Sequence, residues 1–237
     1  ELQLSDIKQF QIIINKNHYE NLHEDLIESL KKEEKNEQSQ TKIELTQKLF
    51  ETIDKFKFCS TALHESYDDE SEDQSFIFDY YVTEETKKAF RFHFENDPLK
   101  LFQALQILYT LNYAKISTKN REKIYSTQNI YLKQDLTRIS LDENSIFRIK
   151  DLKLQKGNLS EDIFTRSLSD GEYQLLHSIG LCLLYRNTNS LFLLDEPETH
   201  FNPDWRAKFI TILKNAFKES DSTQDLLITT HTPYLVS

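Results

Sequence analysis

Glycine is rare in this sequence, with 3 residues in a chain of 237, against a usual share of about 7%. Glycine supplies the backbone conformations that tight turns and close approach to a ligand require. Few glycines exclude a fold rich in tight turns, and they make Gly157, Gly171 and Gly180 more informative than glycines usually are.

Cysteine is almost as scarce, and Cys59 and Cys182 lie far apart in the chain. Two separated cysteines favour reduced thiols in a cytosolic protein over a disulfide framework. A Cys/His zinc site needs closely spaced ligand pairs that include cysteines, and the sequence contains no closely spaced cysteine pair.

Long apolar runs and a leader segment are also missing. No run of about 18 apolar residues exists, so no membrane span is predicted, and no leader indicates secretion. We therefore expect a cytoplasmic protein with no membrane partner. The absence of methionine, and an end directly after an apolar strand and turn, predict that the chain is part of a longer protein.

Positive charge is in the minority, and the formal net charge is −10. An acidic chain exerts no general electrostatic attraction on nucleic acid or on anionic lipid. The one basic cluster that stands out, Lys115 to Lys123, is interpreted as a solvated helix end or loop.

Residues 1–145 are expected to form a mainly helical insertion or arm. Residues 1–60 carry apolar residues at three- and four-residue steps, which is typical of amphipathic helices. The polar segment 31–40 is interpreted as an exposed helix end or a disordered bridge. The acidic segment 65–74 lacks the central glycine and distal glutamate of a calcium-binding loop, so a solvated loop is favoured.

Aromatic residues alternate with other residues in two runs within 76–94, which predicts a β-hairpin or a pair of strands. Asp97 and Pro98 have the form of an N-cap followed by a proline in the first helical turn. A helix is therefore predicted from Pro98 to about Ala114.

Residues 146–237 show a different pattern. Alternation over 146–154 predicts a half-buried strand, and the apolar runs 191–194 and 226–228 predict buried strands of a mostly parallel sheet. The predicted fold class is α/β, with a helix-rich insertion before the sheet.

A helix predicted over 173–184 is preceded by the segment Ser167 to Glu172. Ser and Asp at a helix start cap free backbone N–H groups, and those groups together with the helix dipole favour an anion. Gly171 would let the backbone approach a phosphate. Taken alone, the segment is better explained as an ordinary helix N-cap.

Chemically capable side chains follow the two apolar strands. Asp195 and Glu196 end the first strand, and His231 ends the second. Ligands of open α/β sheets bind beyond such strand ends. An Asp there can hold Mg²⁺, and an adjacent Glu can polarise an attacking water. A strand that ends in a solvated acidic turn, and a structural histidine, would explain the same residues without chemistry.

In this order and spacing, the three motifs resemble the ABC ATPase superfamily. Residues 168–172 (LSDGE) resemble the signature motif, usually LSGGQ, and residues 199–203 lie where the D-loop belongs. Asp195 and Glu196 resemble the Walker B pair, and His231 resembles the switch histidine.

The resemblance implies ATP and Mg²⁺ as cofactors. Ser169 and Gly171 would contact the γ-phosphate of an ATP held mainly by the opposing subunit of a homodimer. Asp195 would organise Mg²⁺. Glu196 would position or activate the water, and His231 would sense the γ-phosphate.

Three positions depart from the family pattern. Asn202 stands at the usual D-loop aspartate position, where it would bind nucleotide across the dimer. Asp170 and Glu172 replace the common Gly and Gln. Their added negative charge beside a phosphate would weaken nucleotide-driven closure of the dimer.

The segment 195–203 reads DEPETHFNP, where transporter ATPases usually read DEPTSALD. In this respect the chain resembles the soluble recombination, repair and defence branch, including overcoming-lysogenization-defect nucleases and Septu-, retron- and restriction-associated ATPases. The resemblance is specific over 146–237 and only architectural over 1–145.

A phosphate-binding loop of the form GxxxxGK[ST] is absent, because none of the three glycines precedes Lys-Ser or Lys-Thr. We expect this loop N-terminal to residue 1 or in a partner chain, and we expect the fragment alone to be inactive.

The main hypothesis is an ATP-hydrolysing, dimerising switch that controls a partner such as a nuclease, with DNA or RNA as a further ligand. A DNA repair ATPase that clamps DNA is less favoured, because the chain is acidic and lacks sustained heptads. The sequence is also compatible with a nuclease whose catalytic domain follows residue 237. Intact Asp195, Glu196 and His231 argue against a non-catalytic scaffold.

Overall fold

The computed structural model describes residues 4–31, 37–68, 73–115, 126, 145–157, 161–218 and 222–232. The basic cluster at Lys115 to Lys123 lies outside these residues except for Lys115. The chain forms two units, one of residues 8–152 and the other of residues 1–7 with 153–237. The expected boundary was between residues 145 and 146.

The first unit combines helices with a sheet in which β2 (Ala62–Asp68), β3 (Asp73–Tyr81) and β1 (Leu4–Asn15) lie side by side in this order. Strand β3 pairs antiparallel with both of these neighbours. Its elements are β1 (Leu4–Asn15), α1 (Lys16–Lys31), α2 (Glu37–Cys59), β2 (Ala62–Asp68), β3 (Asp73–Tyr81), α3 (Glu84–His93), α4 (Pro98–Tyr109), a 3₁₀ helix (Thr110–Lys115) and β4 (Phe147–Lys156), with β1 beginning and β4 ending in the second unit.

The prediction that residues 1–60 are mostly helical is wrong for β1. Three consecutive isoleucines, Ile12 to Ile14, are all buried in this strand. β-Branched residues pack well on the pleated surface of a sheet, and this run outweighs the helical spacing that follows it. Helices occupy the segment from Lys16 onward.

The predicted hairpin within 76–94 is also wrong in its second half. β3 contains the first aromatic run, but its hairpin partner is β2, which includes residues 65–68 of the predicted acidic loop. The second run lies at the end of α3, with Phe94 as the C-cap of the helix. At the other end, Thr83 caps the first turn and accepts a hydrogen bond from the Thr86 amide. Phe90 and Phe94 stack at 5.9 Å on one face of this helix, so the helical period explains their spacing.

The core of this unit is aromatic and aliphatic. The hydroxyl of the buried Tyr80 donates to the carbonyl of Phe56 at 2.8 Å, which satisfies the one polar atom of a large core side chain. The predicted helix start is confirmed, because Asp97 accepts from the Leu99 amide and Pro98 follows in the first turn.

The second unit contains the parallel strands. Its elements are β5 (Ile163–Phe164), a 3₁₀ helix (Thr165–Ser167), α5 (Asp170–Leu184), β6 (Ser190–Asp195), α6 (Pro203–Phe217) and β7 (Gln224–Thr229). Strands β6 and β7 pair in parallel, with Asp195 opposite Thr229 at their carboxyl ends, which confirms the α/β class.

One face of the β6–β7 pair is packed and the other is open. Phe192, Leu194 and Ile228 pack against the buried residues of α5 and α6. Leu191 and Leu193 point the other way and are 64% and 66% exposed. The prediction of fully buried strands is therefore wrong for this face. None of the helices in the described ranges is both long and apolar enough to cross a bilayer.

Candidate nucleotide site

Asp195 and Glu196 lie at the carboxyl end of β6, beside the end of β7. The hydroxyl of Thr229 donates to Oδ1 of Asp195, and the Glu196 amide donates to the Thr229 carbonyl at 3.1 Å. Glu196 has a φ of 44°, a backbone conformation that costs a residue with a side chain roughly 1–2 kcal/mol. Strained backbone of this kind concentrates at functional sites.

The structure brings the predicted catalytic pair together. Nε2 of His231 lies 2.8 Å from Oε1 of Glu196. Both side chains are open to solvent, His231 at 86% and Glu196 at 41%. A carboxylate and an imidazole in contact at an open strand edge can orient a water and share its proton.

The turn after β6 is fastened to α5 by Gln174, a residue that no sequence motif pointed to. Nε2 of Gln174 donates to the carbonyl of Glu196 at 3.4 Å, and its Oε1 accepts from the amide of His200 at 3.3 Å. Thr199 adds a hydroxyl donor to the same carbonyl of Glu196 at 2.8 Å. The sequence gives no signal for Gln174, because its partners lie on a different element.

Ser169 is the N-cap of α5, as predicted. Its hydroxyl accepts from the Glu172 amide at 3.3 Å, and Glu172 Oε2 accepts from the Ser169 amide at 2.9 Å and from the Ser169 hydroxyl at 3.0 Å. This reciprocal arrangement is a capping box. The hydroxyl of Ser169 is thus engaged within the chain, and its contact with a phosphate stays a prediction.

Gly171 is buried in the first turn of α5, where it allows a close backbone approach. A Cβ at this position would stand 2.4 Å from the carbonyl oxygen of His200. Glycine is therefore required here for the helix start to pack against the turn after β6. Its predicted role beside a phosphate is not tested by this contact.

Asn202 caps the next helix. Its Oδ1 accepts from the amide of Trp205 at 2.8 Å, with Pro203 in the first turn of α6. The side chain has a complete local role in the chain, and its expected binding across a dimer stays a prediction.

The Glu172 carboxyl has a lowered pKa. Lys156 donates a hydrogen bond to it, which is the largest cause lowering its pKa below the usual value, and the Ser169 amide and hydroxyl lower it further. A carboxyl with a lowered folded pKa stabilises the fold above its unfolded pKa of about 4.3, and this contribution is lost as pH falls through the folded value.

We expect Glu172→Gln to reduce the acid sensitivity of the second unit. Below pH of about 4.3, the wild type should lose up to about 1.4 kcal/mol per pH unit more than the variant. Urea unfolding at several pH values, followed by fluorescence of Trp205, measures this, because Trp205 is the sole tryptophan and packs on Phe201. Lys156→Met should have a similar effect, and equal acid sensitivity in all three proteins would contradict the assignment.

The residues present fit Mg²⁺ bound together with a nucleotide. No group of three or more His, Cys, Asp or Glu side chains that could hold a metal occurs among the described residues. Mg²⁺ commonly uses one or two carboxylates, with substrate phosphates and waters completing its shell. Asp195, exposed at the strand end, can supply such a carboxylate.

Comparison with known proteins identifies the family of the chain. No curated protein matches the chain. Residues 24–237 match the family described as "AAA domain, putative AbiEii toxin, Type IV TA system", so the match includes most of the first unit as well as the candidate site. Because it covers well over half of the chain, the protein belongs to this family of AAA domains, whose members are nucleotide-binding ATPase domains.

Proposed function

We propose that this protein is an ATP-hydrolysing switch that closes as a homodimer around ATP. The observation that carries the proposal is the 2.8 Å contact between Glu196 and His231 at the ends of two adjacent parallel strands. Asp195 lies at the same edge, one residue before Glu196.

The chain's own residues have distinct tasks in this proposal. Glu196 orients the attacking water and accepts its proton, while His231 contacts the γ-phosphate and holds the Glu196 carboxylate. Asp195 holds Mg²⁺, which neutralises phosphate charge when bound. Ser169 and Gly171, at the positive end of the α5 dipole, meet the γ-phosphate of an ATP carried by the other subunit, and Asn202 faces the same nucleotide.

The biological role that we propose is control of a partner effector, such as a nuclease, in bacterial defence. Its support is the family description, which names an AbiEii toxin and a toxin–antitoxin system. The helix-rich first unit, residues 8–152, would transmit closure to that effector. We also propose DNA or RNA as a further ligand. The salt dependence of binding tests this, because binding through phosphate contacts weakens steeply as the salt concentration rises.

ATP turnover and light scattering of the full-length protein test the proposal. We expect ATP with Mg²⁺ to shift the molar mass to that of a dimer, and ADP to return it to the monomer, because only the γ-phosphate joins the two subunits. A mass that does not respond to ATP, in a protein that binds it, would rule out the switch. Steeply salt-dependent DNA binding without ATP-driven dimerisation would favour the DNA clamp instead.

A further inference from the structure

Glu198 is a buried carboxylate that the roles above leave unassigned. Its exposed fraction is 2%, among the lowest of the residues that the structure describes. Removing a carboxylate from water is costly unless hydrogen-bond donors replace the lost hydration. An apolar side chain would fill such a position at lower cost, so stability alone gives no reason for a glutamate here.

The donors to Glu198 come from the turn after β7. Oε1 accepts from the hydroxyl of Thr230 and from the hydroxyl of Thr232 at 3.3 Å. The Thr232 amide in turn donates to the Thr230 hydroxyl oxygen at 3.0 Å. The bond between Thr232 and Thr230 thus stabilises the turn after β7, and the two hydroxyl bonds link this turn to Oε1 of Glu198. The other oxygen, Oε2, accepts no hydrogen bond in the described part of the chain.

His231 lies between these two threonines. Its side chain is largely in solvent and gains little support from packing. The backbone on either side of it is held by the buried Glu198, which follows Glu196 by two residues on the other strand's turn. The turn after β6 therefore contacts His231 in two ways. Glu196 contacts the His231 imidazole, and Glu198 binds the threonines on either side of His231.

We propose that Glu198 is a positioning residue that sets His231 against Glu196, so that the turns after β6 and β7 act as one unit. This inference rests on the proposed ATPase function for its kinetic readout. Glu198 touches neither nucleotide nor water in this role. It acts through the hydroxyls of Thr230 and Thr232.

The test compares two substitutions of one residue in the full-length protein. Thr230→Val keeps the side-chain shape but removes the hydroxyl donor, whereas Thr230→Ser keeps the donor. We expect Thr230→Val to lower kcat about 10- to 100-fold, the scale on which a misplaced catalytic group acts, with KM for ATP unchanged. Thr230→Ser should retain most of the wild-type kcat. Glu198→Ala should lower kcat similarly, and adding Thr230→Val to it should cause a much smaller further loss than Thr230→Val causes in the wild type, because both variants remove the hydrogen bond between Thr230 and Glu198.

Several results would overturn the proposal. Wild-type kcat in Thr230→Val would do so, as would additive losses in the double variant or a rise in KM with unchanged kcat. Where Thr230→Val does not fold, Thr232→Val removes the second donor and repeats the test.

A readout without ATP separates this proposal from the proposed function. The ring C–H signal of His231 in proton NMR, assigned by its loss in His231→Gln, reports the position of the turn directly. If the wild type shows no ATP turnover, the proposed function fails. A His231 signal that moves in Thr230→Val but not in Thr230→Ser would still support the positional link, and an unmoved signal in both would overturn it.

Discussion

Gly171→Ala should destabilise the second unit, although it places a better helix former in a helix. The new Cβ would lie 2.4 Å from the carbonyl oxygen of His200, which is far inside van der Waals contact. The carbonyl belongs to the backbone of a turn whose amide is already bound by Gln174, so the turn cannot retreat without weakening that bond. Overpacking of this kind costs about 1–3 kcal/mol.

Gly180→Ala is the matched control for this prediction. Gly180 lies in the same helix, α5, and a Cβ there would meet nothing within 4 Å. Alanine should stabilise this position by up to about 1 kcal/mol, because glycine is the poorer helix former. Urea unfolding followed by Trp205 fluorescence should therefore show stability changes of opposite sign, which separate the two variants by about 1–4 kcal/mol. Equal stabilisation by both alanines would show that the close approach at His200 does not exist in solution.

Glu196→Gln should lower ATP turnover by about 100-fold or more in the full-length protein. A general base contributes roughly 10²–10⁴ to a rate, and the amide of Gln cannot accept the proton of an attacking water. The shape of the side chain is kept, and the backbone bond from the Glu196 amide to Thr229 is unaffected. Nucleotide binding should therefore persist, and ATP should trap the variant as a closed dimer.

The measurement combines steady-state turnover with light scattering in the presence of ATP. Asp204→Asn serves as a control, because Asp204 is an exposed carboxylate on α6 that pairs with Lys208 and lies outside the proposed chemistry. This control should keep wild-type turnover. Loss of turnover without the trapped dimer would separate hydrolysis from dimerisation, and turnover within about tenfold of the wild type would remove Glu196 from the role of general base.

Local signals in the sequence predicted those parts of the site that depend on neighbouring residues. Ser169 before α5 and Asp97 with Pro98 before α4 cap helices through bonds to residues within the next turn. The apolar runs that end at Asp195 and near His231 correctly predicted two parallel strands with chemically capable side chains at one edge. Such features are readable because the groups that interact are close in the chain.

Errors arose where a segment carried two compatible patterns. The aromatic spacing of Phe90, Phe92 and Phe94 fits a strand, but Phe90 and Phe94 also fit one face of a helix. The cap at Thr83 and the packing of Phe94 against Phe56 accompany the helical arrangement. The error in β1 was the reverse, because a segment that was predicted to be helical forms a strand. Burial of its isoleucine run in the sheet outweighed the helical spacing of the following residues.

By itself, the sequence determined the α/β class, the starts of the helices at the site and the identity of the residues at the two strand ends. Only the tertiary structure decided what those residues touch. Glu198 and Thr230 are 32 positions apart, and Gln174 reaches Glu196 from 22 positions away. Gly171 is required by a carbonyl on another element. Such contacts depend on how strands and helices pack, and packing brings together residues between which no local periodicity exists.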